Sequence, residues 1–344
     1  MNEQQKRAAM IGAAGVGVLL FSQALRRRRA TYDFAGRSVV VTGGSRGLGL
    51  VIARALADEG ARLTLMARDD EELARAADDI RTRQPFAEVL TVAADVRRRH
   101  DAERAIAQVL DRHSRIDVLI NNAGTIQVGP VDHMTLADYE DAMNTHFWGP
   151  LFMIHAAVPH MRRQGEGRIV NISSIGGRVA VPHLLPYSAS KFALTGLSDG
   201  LRAELADDNI IVTTVCPGLM RTGSPVNAMF KGRRPQEYAW FAISDSLPLA
   251  SIDARRAARQ IIDACRRGDA ELVITLQAKL AILARTVAPE MFADAMTVMN
   301  RLLPKPGGPN GDRAEPGRAN ESDWAPSKLT EPTYRAAEEN NELG

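Results

Sequence analysis

The chain has 344 residues, of which 45% are hydrophobic and 24% are charged, and its formal net charge is only +2. This composition is typical of one large globular domain with appendages. Two cysteines, Cys216 and Cys265, exclude a disulfide framework and indicate a reducing compartment. Nothing in the body of the chain indicates a nucleic-acid surface.

Residues 1–35 form a basic and apolar leader. Residues 1–37 carry seven Lys and Arg against two acidic residues, a charge of +5, which leaves −3 for the rest of the chain. Residues 8–25 are uncharged, and the arginines that follow disfavour a cleaved secretory signal. We expect residues 8–25 to be a membrane anchor, spanning or interfacial, with the main domain on the cytoplasmic side. The alternative is an amphipathic or disordered leader that never contacts lipid.

A strand, a glycine turn and a helix follow the leader. Residues 38–42 read as a buried strand, residues 43–49 as the turn, and residues 51–59 as the helix. Glycines let a backbone approach a pyrophosphate, and a helix N-terminus supplies amides and the positive end of its dipole. The spacing Gly-x-x-x-Gly-x-Gly differs from the G-x-G-x-x-G fingerprint, so this turn alone is only a weak indication of dinucleotide binding.

Strands and helices then alternate along the chain. The predicted strands cover residues 62–66, 88–93, 116–120, 168–173, 210–216 and 271–275, and the predicted helices cover residues 70–83, 101–113 and 187–205. Alternation of this kind predicts a parallel sheet covered by helices on both faces. Ligands of such sheets bind at the carboxyl ends of the strands, where the polar loops of this chain fall.

Tyr187 and Lys191 are four residues apart in a predicted helix, so both side chains project from one face. The pKa of a free tyrosine is about 10, and an ammonium about 4 Å away at an effective dielectric of about 20 contributes about 4 kcal/mol, or up to ~3 pKa units before desolvation. That change would bring the phenol into a catalytic range. Taken alone, the pair could equally belong to an ordinary surface helix.

Several motifs together resemble the short-chain dehydrogenase/reductase family over about residues 36–275. They are Thr42-Gly-x-x-x-Gly-x-Gly49, Asn121-Asn-Ala-Gly124, Asn144, Ser174, Tyr187-x-x-x-Lys191 and Pro217-Gly218. The resemblance implies an α/β fold, a Rossmann-like doubly wound sheet of seven parallel strands in the order 3-2-1-4-5-6-7. It places the reductase domain at residues 36–276.

The resemblance also implies catalytic roles for four residues. Tyr187 would be the general acid in carbonyl reduction, and Lys191 would lower the pKa of Tyr187 and hold the nicotinamide ribose. Ser174 would hydrogen-bond the substrate oxygen. Asn144 would hold a water in the proton relay that runs through Lys191.

Cofactor binding is expected along the same sheet edge, with Asn122 near a ribose and Asp95 near the adenine. The second strand ends in Ala67 and Arg68, with no acidic residue to accept from a ribose 2′-OH, and Arg46 lies in the glycine turn, which favours NADP(H) and hence reduction. The alternative is that Arg68 pairs with a neighbouring aspartate. The full set of expected cofactor residues is Gly43, Ser45, Arg46, Gly47, Leu48, Gly49, Arg68, Asp95, Val96, Asn122, Ala123, Gly124, Tyr187, Lys191, Pro217, Gly218 and Thr222.

The segment between Gly218 and Asp253 is expected to cap the substrate. Its large apolar residues are Met220, Val226, Met229, Phe230, Tyr238, Trp240, Phe241 and Ile243. They indicate a hydrophobic pocket under a mobile lid, suited to a lipid-like ketone or aldehyde, to which residues 183–185 could also contribute. The alternative is that these residues pack the lid onto the domain.

Two segments follow the domain. Residues 277–303 have helical apolar spacing and could guard the substrate entrance, form a dimer contact or face a membrane. Residues 304–344 are rich in Pro, Gly, Asn and Glu and predict a tail that is disordered or lies along the surface. The seven histidines show no metal-binding pattern.

By analogy with the family, we expect a homodimer or homotetramer acting on a small hydrophobic carbonyl or alcohol. Two alternatives to an enzyme stay open. One is a cofactor-binding regulator without turnover, and the other is a membrane-tethered scaffold.

Overall fold

The computed structural model describes residues 32–247, 251–322 and 325–343. Within these ranges no helix has both the length and the apolar character needed to cross a membrane. The anchor expected at residues 8–25 lies outside the described residues and stays a prediction.

The centre of the fold is a sheet of seven parallel strands. These strands are β1 (Ser38–Thr42), β2 (Arg62–Ala67), β3 (Val89–Ala93), β4 (Val118–Asn121), β6 (Gly167–Ile172), β7 (Ile210–Pro217) and β11 (Glu271–Ile274). Their spatial order is β3-β2-β1-β4-β6-β7-β11. Counting only the strands of this sheet, that is the order 3-2-1-4-5-6-7, so the predicted Rossmann-like architecture is confirmed.

Short strands and helices complete the described chain. The short strands are β5 (Gln127–Val128), β8 (Leu219–Arg221), β9 (Met229–Phe230), β10 (Ser251–Asp253) and β12 (Glu315–Pro316). The helices are α1 (Gly47–Asp58), α2 (Asp70–Arg83), α3 (Arg99–His113), α4 (Leu136–Met143), α5 (Gly149–Gln164), α6 (Leu185–Glu204), α7 (Ser224–Asn227), α8 (Arg234–Ser246), α9 (Ala254–Arg267), α10 (Leu276–Val287), α11 (Pro289–Leu302) and α12 (Glu331–Glu339).

The sheet is apolar on both faces because each face is covered by helices. Along β1, Val39 and Val41 pack with residues of α1, α2 and α9, whereas Val40 packs with residues of α3 and α5. Side chains alternate between the two faces of a strand, so a strand buried on both faces must be continuously apolar. This requirement explains the β-branched runs in the sequence and places the polar loops at the ends of the strands.

The segment after β11 forms two helices, α10 and α11, separated at Ala288, and Pro289 occupies the first position of α11. Both helices have a stripe of exposed apolar side chains. On α10 it consists of Leu276, Leu280, Leu283 and Val287, spaced so that they share one face.

Of the two alternatives for the C-terminal segment, the described residues follow the one in which the tail lies on the domain, and they add a strand and a helix to it. β12 pairs antiparallel with β9, and α12 packs against α7, α8 and β8. Its contacts use small and polar side chains: Ala337 is fully buried, and the hydroxyl groups of Ser246 and Thr333 are 2.6 Å apart. Few large apolar residues are needed for docking of this kind, which is why composition left both alternatives open.

One acidic side chain is buried where α8 faces β8. Asp245 is 3% exposed, and its Oδ2 has no hydrogen-bond partner in the described part of the chain. Burial raises the pKa of Asp245 from 3.8 to about 8, although a hydrogen bond with the backbone of Met220 and the charge of Arg221 act in the opposite direction. Between about pH 4 and pH 8, the folded chain therefore keeps a proton on Asp245 that the unfolded chain has already lost.

We predict that Asp245→Asn stabilises the protein at pH 8 but not at pH 4. Because the pKa of Asp245 is raised by folding, its contribution to the free energy of unfolding falls as pH rises across this window. The melting temperature at pH 8 should rise by at least about 2–4 °C, the shift that about 1 kcal/mol gives in a domain of roughly 150–250 residues. The exposed Asp294 provides the control: Asp294→Asn should show no such pH-dependent gain. Equal effects at both pH values would contradict the prediction.

Candidate active site

The glycine turn after β1 brings the N-terminus of α1 against the sheet edge. A Cβ added to Gly49 would lie 2.0 Å from the carbonyl oxygen of Gly43, so no larger residue fits there. α1 begins at Gly47 without a side-chain cap and without an acidic residue in its first turn, which also contains the buried Leu48. An uncapped N-terminus of this kind suits an anion, so the turn fits the diphosphate of a dinucleotide.

The loop after β4 is fastened to the same turn. The hydroxyl of Thr42 accepts hydrogen bonds from the backbone N–H groups of Asn122 and Ala123, at 3.0 and 3.1 Å. The side-chain amide of Asn122 donates to the carbonyl oxygens of Thr42 and Gly43, at 3.0 and 3.1 Å. The Asn122 side chain therefore holds the two loops together. This role was not part of the expectation, which placed Asn122 near a ribose.

Tyr187, Ser174 and Lys191 come together where β6 ends and α6 begins. The hydroxyl of Ser174 accepts a hydrogen bond from the backbone N–H of Gly176 at 3.0 Å and lies near the phenol of Tyr187, whose pKa it acts to lower. The ammonium of Lys191 lies 5.7 Å from the centre of the Tyr187 ring and donates to the carbonyl oxygen of Ile172 at 2.8 Å. The structure thus brings together three of the four residues expected to be catalytic.

The pKa values of the pair differ from the expected pattern. Burial raises the pKa of Tyr187, even though the hydrogen bond with Ser174 acts to lower it. Burial also lowers the pKa of Lys191, to about 7, so its ammonium is only partly charged at neutral pH. The expectation that Lys191 lowers the pKa of Tyr187 stays a prediction, because burial is the largest cause acting on each of the two pKa values in the protein alone.

Asn144, the fourth expected residue, is exposed to solvent. It opens a π-helix, Asn144–Trp148, that joins α4 to α5. His146, two residues later, is fully buried, and its ring packs edge-on against Tyr187 with the ring centres 5.3 Å apart. The structure therefore places His146, not Asn144, beside the tyrosine.

His146 connects the loop after β4 to α6. Its Nε2 accepts from the backbone N–H of Thr125 at 3.1 Å, so that nitrogen carries no proton. Its Nδ1 is 2.8 Å from the hydroxyl of Ser190, which donates to the carbonyl oxygen of Tyr187. Burial holds the pKa of His146 well below its usual value, and the charge of Lys191 adds to this effect. The ring is thus neutral, with both nitrogens engaged.

The residues expected to choose the cofactor lie at the ends of β1 and β2. Glu72 accepts hydrogen bonds from the hydroxyl of Ser45 at 2.9 Å and from the guanidinium of Arg46 at 3.0 Å. Arg68 is exposed and forms no ion pair with any residue that the structure describes. Its expected alternative partner Asp69 instead caps α2 by accepting from the backbone N–H of Glu72.

The remaining expected cofactor residues also lie along the carboxyl edge of the sheet. Asp95 is held by Arg97, whose hydrogen bonds and charge outweigh burial and lower the pKa of Asp95. Val96 is buried and would contact a Cβ on Gly149. A Cβ added to Gly124 would lie 3.2 Å from Nε2 of His146. Pro217 ends β7, and Gly218 donates its N–H to the carbonyl oxygen of Ile274. Thr222 is buried.

Much of the predicted substrate lid packs inward. Phe230, Tyr238 and Phe241 are buried in one cluster with Val128 and Leu184, and Val226 is buried as well, which supports the packing interpretation for these residues. A cavity of about 340 Å³ lies beside this cluster, between the start of α6 and the end of α11. His183 and Leu185 line it, as expected for residues just before Tyr187, together with Lys305 from beyond α11.

Among the described residues, no group of three or more His, Cys, Asp or Glu side chains could hold a metal ion. Cys216 and Cys265 are both free and buried.

Known proteins share this fold and these motifs. A family model described as short chain dehydrogenase matches residues 37–229. Dehydrogenase/reductase SDR family member 7B of Danio rerio is 30% identical over 295 residues, which cover 83% of this chain and 93% of that protein. The 11-beta-hydroxysteroid dehydrogenase-like 4A of Arabidopsis thaliana is 34% identical over 203 residues, 59% of this chain and 67% of that protein.

A solved structure agrees with these matches. L-sorbose reductase from Gluconobacter frateurii, complexed with NADPH and L-sorbose, has a TM-score of 0.63 and 25% identity, covering 71% of this chain and 97% of that one. A family match over more than half of the chain, and relatives that align along most of their own length, show that the chain belongs to the short-chain dehydrogenase family, oxidoreductases that use NAD or NADP.

Proposed function

We propose that the protein is an NADP(H)-dependent reductase of a hydrophobic ketone or aldehyde. The observation that carries this proposal is the contact of Tyr187 with Ser174 and Lys191 at the sheet edge that also holds the glycine turn. A proton donor and an anion-binding helix N-terminus on one edge fit a reaction that joins a proton to a hydride.

When bound, NADPH supplies the hydride that reaches the carbonyl carbon. Ser174 donates a hydrogen bond to the carbonyl oxygen, and Tyr187 transfers its phenolic proton to the same oxygen, so that an alcohol forms. The raised pKa of Tyr187 keeps the phenol protonated before the reaction, as a general acid requires. When it is protonated, Lys191 donates one ammonium proton to the carbonyl oxygen of Ile172, which leaves two donors for ribose hydroxyls, and its charge then stabilises the phenolate that forms.

The preference for NADP(H) is supported by Arg68. Its guanidinium is exposed and free of carboxylate partners among the described residues, so it can bind a 2′-phosphate without first breaking an ion pair. Arg46 is less available because Glu72 already accepts from it. Arg68 is therefore the main determinant of cofactor choice in this proposal.

A hydrophobic substrate is supported by the cavity beside α6. Leu185, Val131, Val181 and four prolines contribute to its lining. The similarity to a protein named hydroxysteroid dehydrogenase-like agrees with a large apolar carbonyl compound.

We expect Tyr187→Phe to abolish turnover but not cofactor binding. Loss of a general acid lowers kcat by about 10²–10⁴-fold, whereas the ring that packs on His146 is retained. The measurement is NADPH consumption, with NADH in parallel, against hydrophobic ketones and aldehydes of graded size. A variant as active as the wild type would contradict the role of Tyr187. Tight NADPH binding without turnover on any substrate would favour a cofactor-binding regulator instead.

Arg68→Ala should reduce the preference for NADPH over NADH by about tenfold or more, since a hydrogen bond to a charged group contributes about 1.5–3 kcal/mol. The affinity for NADH should change little, because NADH lacks the 2′-phosphate. Arg99→Ala removes another exposed guanidinium, which pairs with Glu103 on α3, and serves as the control. If both variants keep the wild-type preference for NADPH over NADH, Arg68 does not recognise the 2′-phosphate.

In this proposal His146 is a positioning residue. Both of its ring nitrogens form hydrogen bonds within the protein, and neither faces the reacting atoms. His146→Leu should lower kcat by about 10–100-fold with a smaller change in KM, since a displacement of about 1 Å can cost ~10²-fold. His146→Gln, whose amide can both accept and donate, should restore most of kcat. A loss of melting temperature without a change in kcat would assign His146 a purely structural role.

A further inference from the structure

The C-terminal segment lies on the glycine turn. After α12 ends at Glu339, the carbonyl oxygen of Asn340 accepts the backbone N–H of Gly47 at 2.9 Å. The side-chain amide of Asn341 donates to the carbonyl oxygens of Ser45 and Glu72, at 2.9 and 3.2 Å. The segment therefore uses the backbone groups that begin α1.

A carboxyl group completes this contact. A Cβ placed on Gly47 would lie 2.5 Å from Oε1 of Glu342, so the carboxyl covers the position that the missing side chain leaves open. Oε2 of Glu342 accepts from the Asn227 side chain at 2.6 Å and lies 3.8 Å from Nε of Arg46. Glu342 is only 6% exposed. An acidic group thus sits at an uncapped helix N-terminus, where an anion is favoured.

We propose that residues 340–342 are an intramolecular ligand of the cofactor cleft, which NADP(H) must displace in order to bind. The proposal rests on the proposed function, because it assumes that the glycine turn receives the cofactor diphosphate. The amide of Gly47 cannot serve both Asn340 and a phosphate, and the carboxyl of Glu342 occupies the space over the turn.

The docked segment is held strongly enough to compete with NADP(H), yet NADP(H) can displace it. Arg54 donates to Asn340 and to the carbonyl oxygen of Glu339, and Arg75 donates to Asn341. The burial of an acidic group opposes these bonds. Desolvation raises the pKa of Glu342 to about 7, while Arg46 and Asn227 act to lower this pKa and Glu72 acts to raise it. Asp245 also faces this carboxyl.

The expected result follows from competition. If the docked state outweighs the free state by about ten to one, the apparent Kd for NADPH is about tenfold weaker than that of the open cleft. A variant that prevents docking should therefore bind NADPH more tightly. A cofactor site of which the segment is a normal part would instead lose affinity when the contact is broken.

Two variants of the full chain prevent docking in different ways. Glu342→Arg places a guanidinium beside Arg46 in a buried position, and its matched control is Glu338→Arg, which changes the charge equally at an exposed residue of α12. Ala337→Leu introduces no charge and overpacks the contact in which a Cβ on Gly223 would already lie 2.4 Å from Ala337. Both docking variants should lower the Kd for NADPH by about tenfold, whereas the control should match the wild type.

Hydrogen exchange gives a second readout that does not depend on turnover. The N–H of Glu342 bonds the carbonyl oxygen of Ala337, and saturating NADPH should increase its exchange in the wild type. The displacement proposal would be overturned if the wild type bound NADPH tightly while the exchange of the Glu342 N–H stayed unchanged, or if both docking variants bound NADPH more weakly. Either outcome would leave the reductase proposal intact. Failure of NADPH to bind the wild type and both docking variants would overturn both.

Discussion

The closeness of α1 to the carboxyl ends of β1 and β4 is the constraint on which the rest of the site depends. Gly49 permits it because any side chain there would collide with the carbonyl oxygen of Gly43. Thr42 and Asn122 then lock the two loops with four hydrogen bonds. This arrangement brings the N-terminus of α1 to one end of the edge, while the loop after β4 runs on towards His146 and Tyr187 at the other. The glycine turn and Tyr187 are thus connected through the same loop.

The sheet and most of the edge could be predicted from the sequence because they follow from local rules. A strand buried on both faces has to be apolar, as β1 is, and the helix of Tyr187 and Lys191 has to present both on one face. The lid was less predictable. Phe230 and Tyr238 are apolar whether they line a pocket or pack inward, so only tertiary structure could show that they pack inward.

Three features could not be foreseen for physical reasons. The π-helix at Asn144 breaks the regular helical spacing, so it exposes Asn144 and turns His146 inward. The pKa of Tyr187 depends on burial, which spacing does not report. The C-terminal segment docks through backbone groups and small side chains such as Ala337, whose contribution composition does not reveal. A histidine between polar and aromatic neighbours carried no signal of its own in the sequence.

The docked position of Glu342 affects how cofactor binding would appear in a calorimeter. A ligand that binds only the folded state raises the stability of that state by an amount set by its concentration and Kd. Here part of that gain would be offset by the contacts that residues 340–342 give up at Gly47 and Asn227. The rise in unfolding temperature would therefore understate the intrinsic affinity of the cleft, and the measured heat of binding would include the heat of releasing the chain's own C-terminal segment.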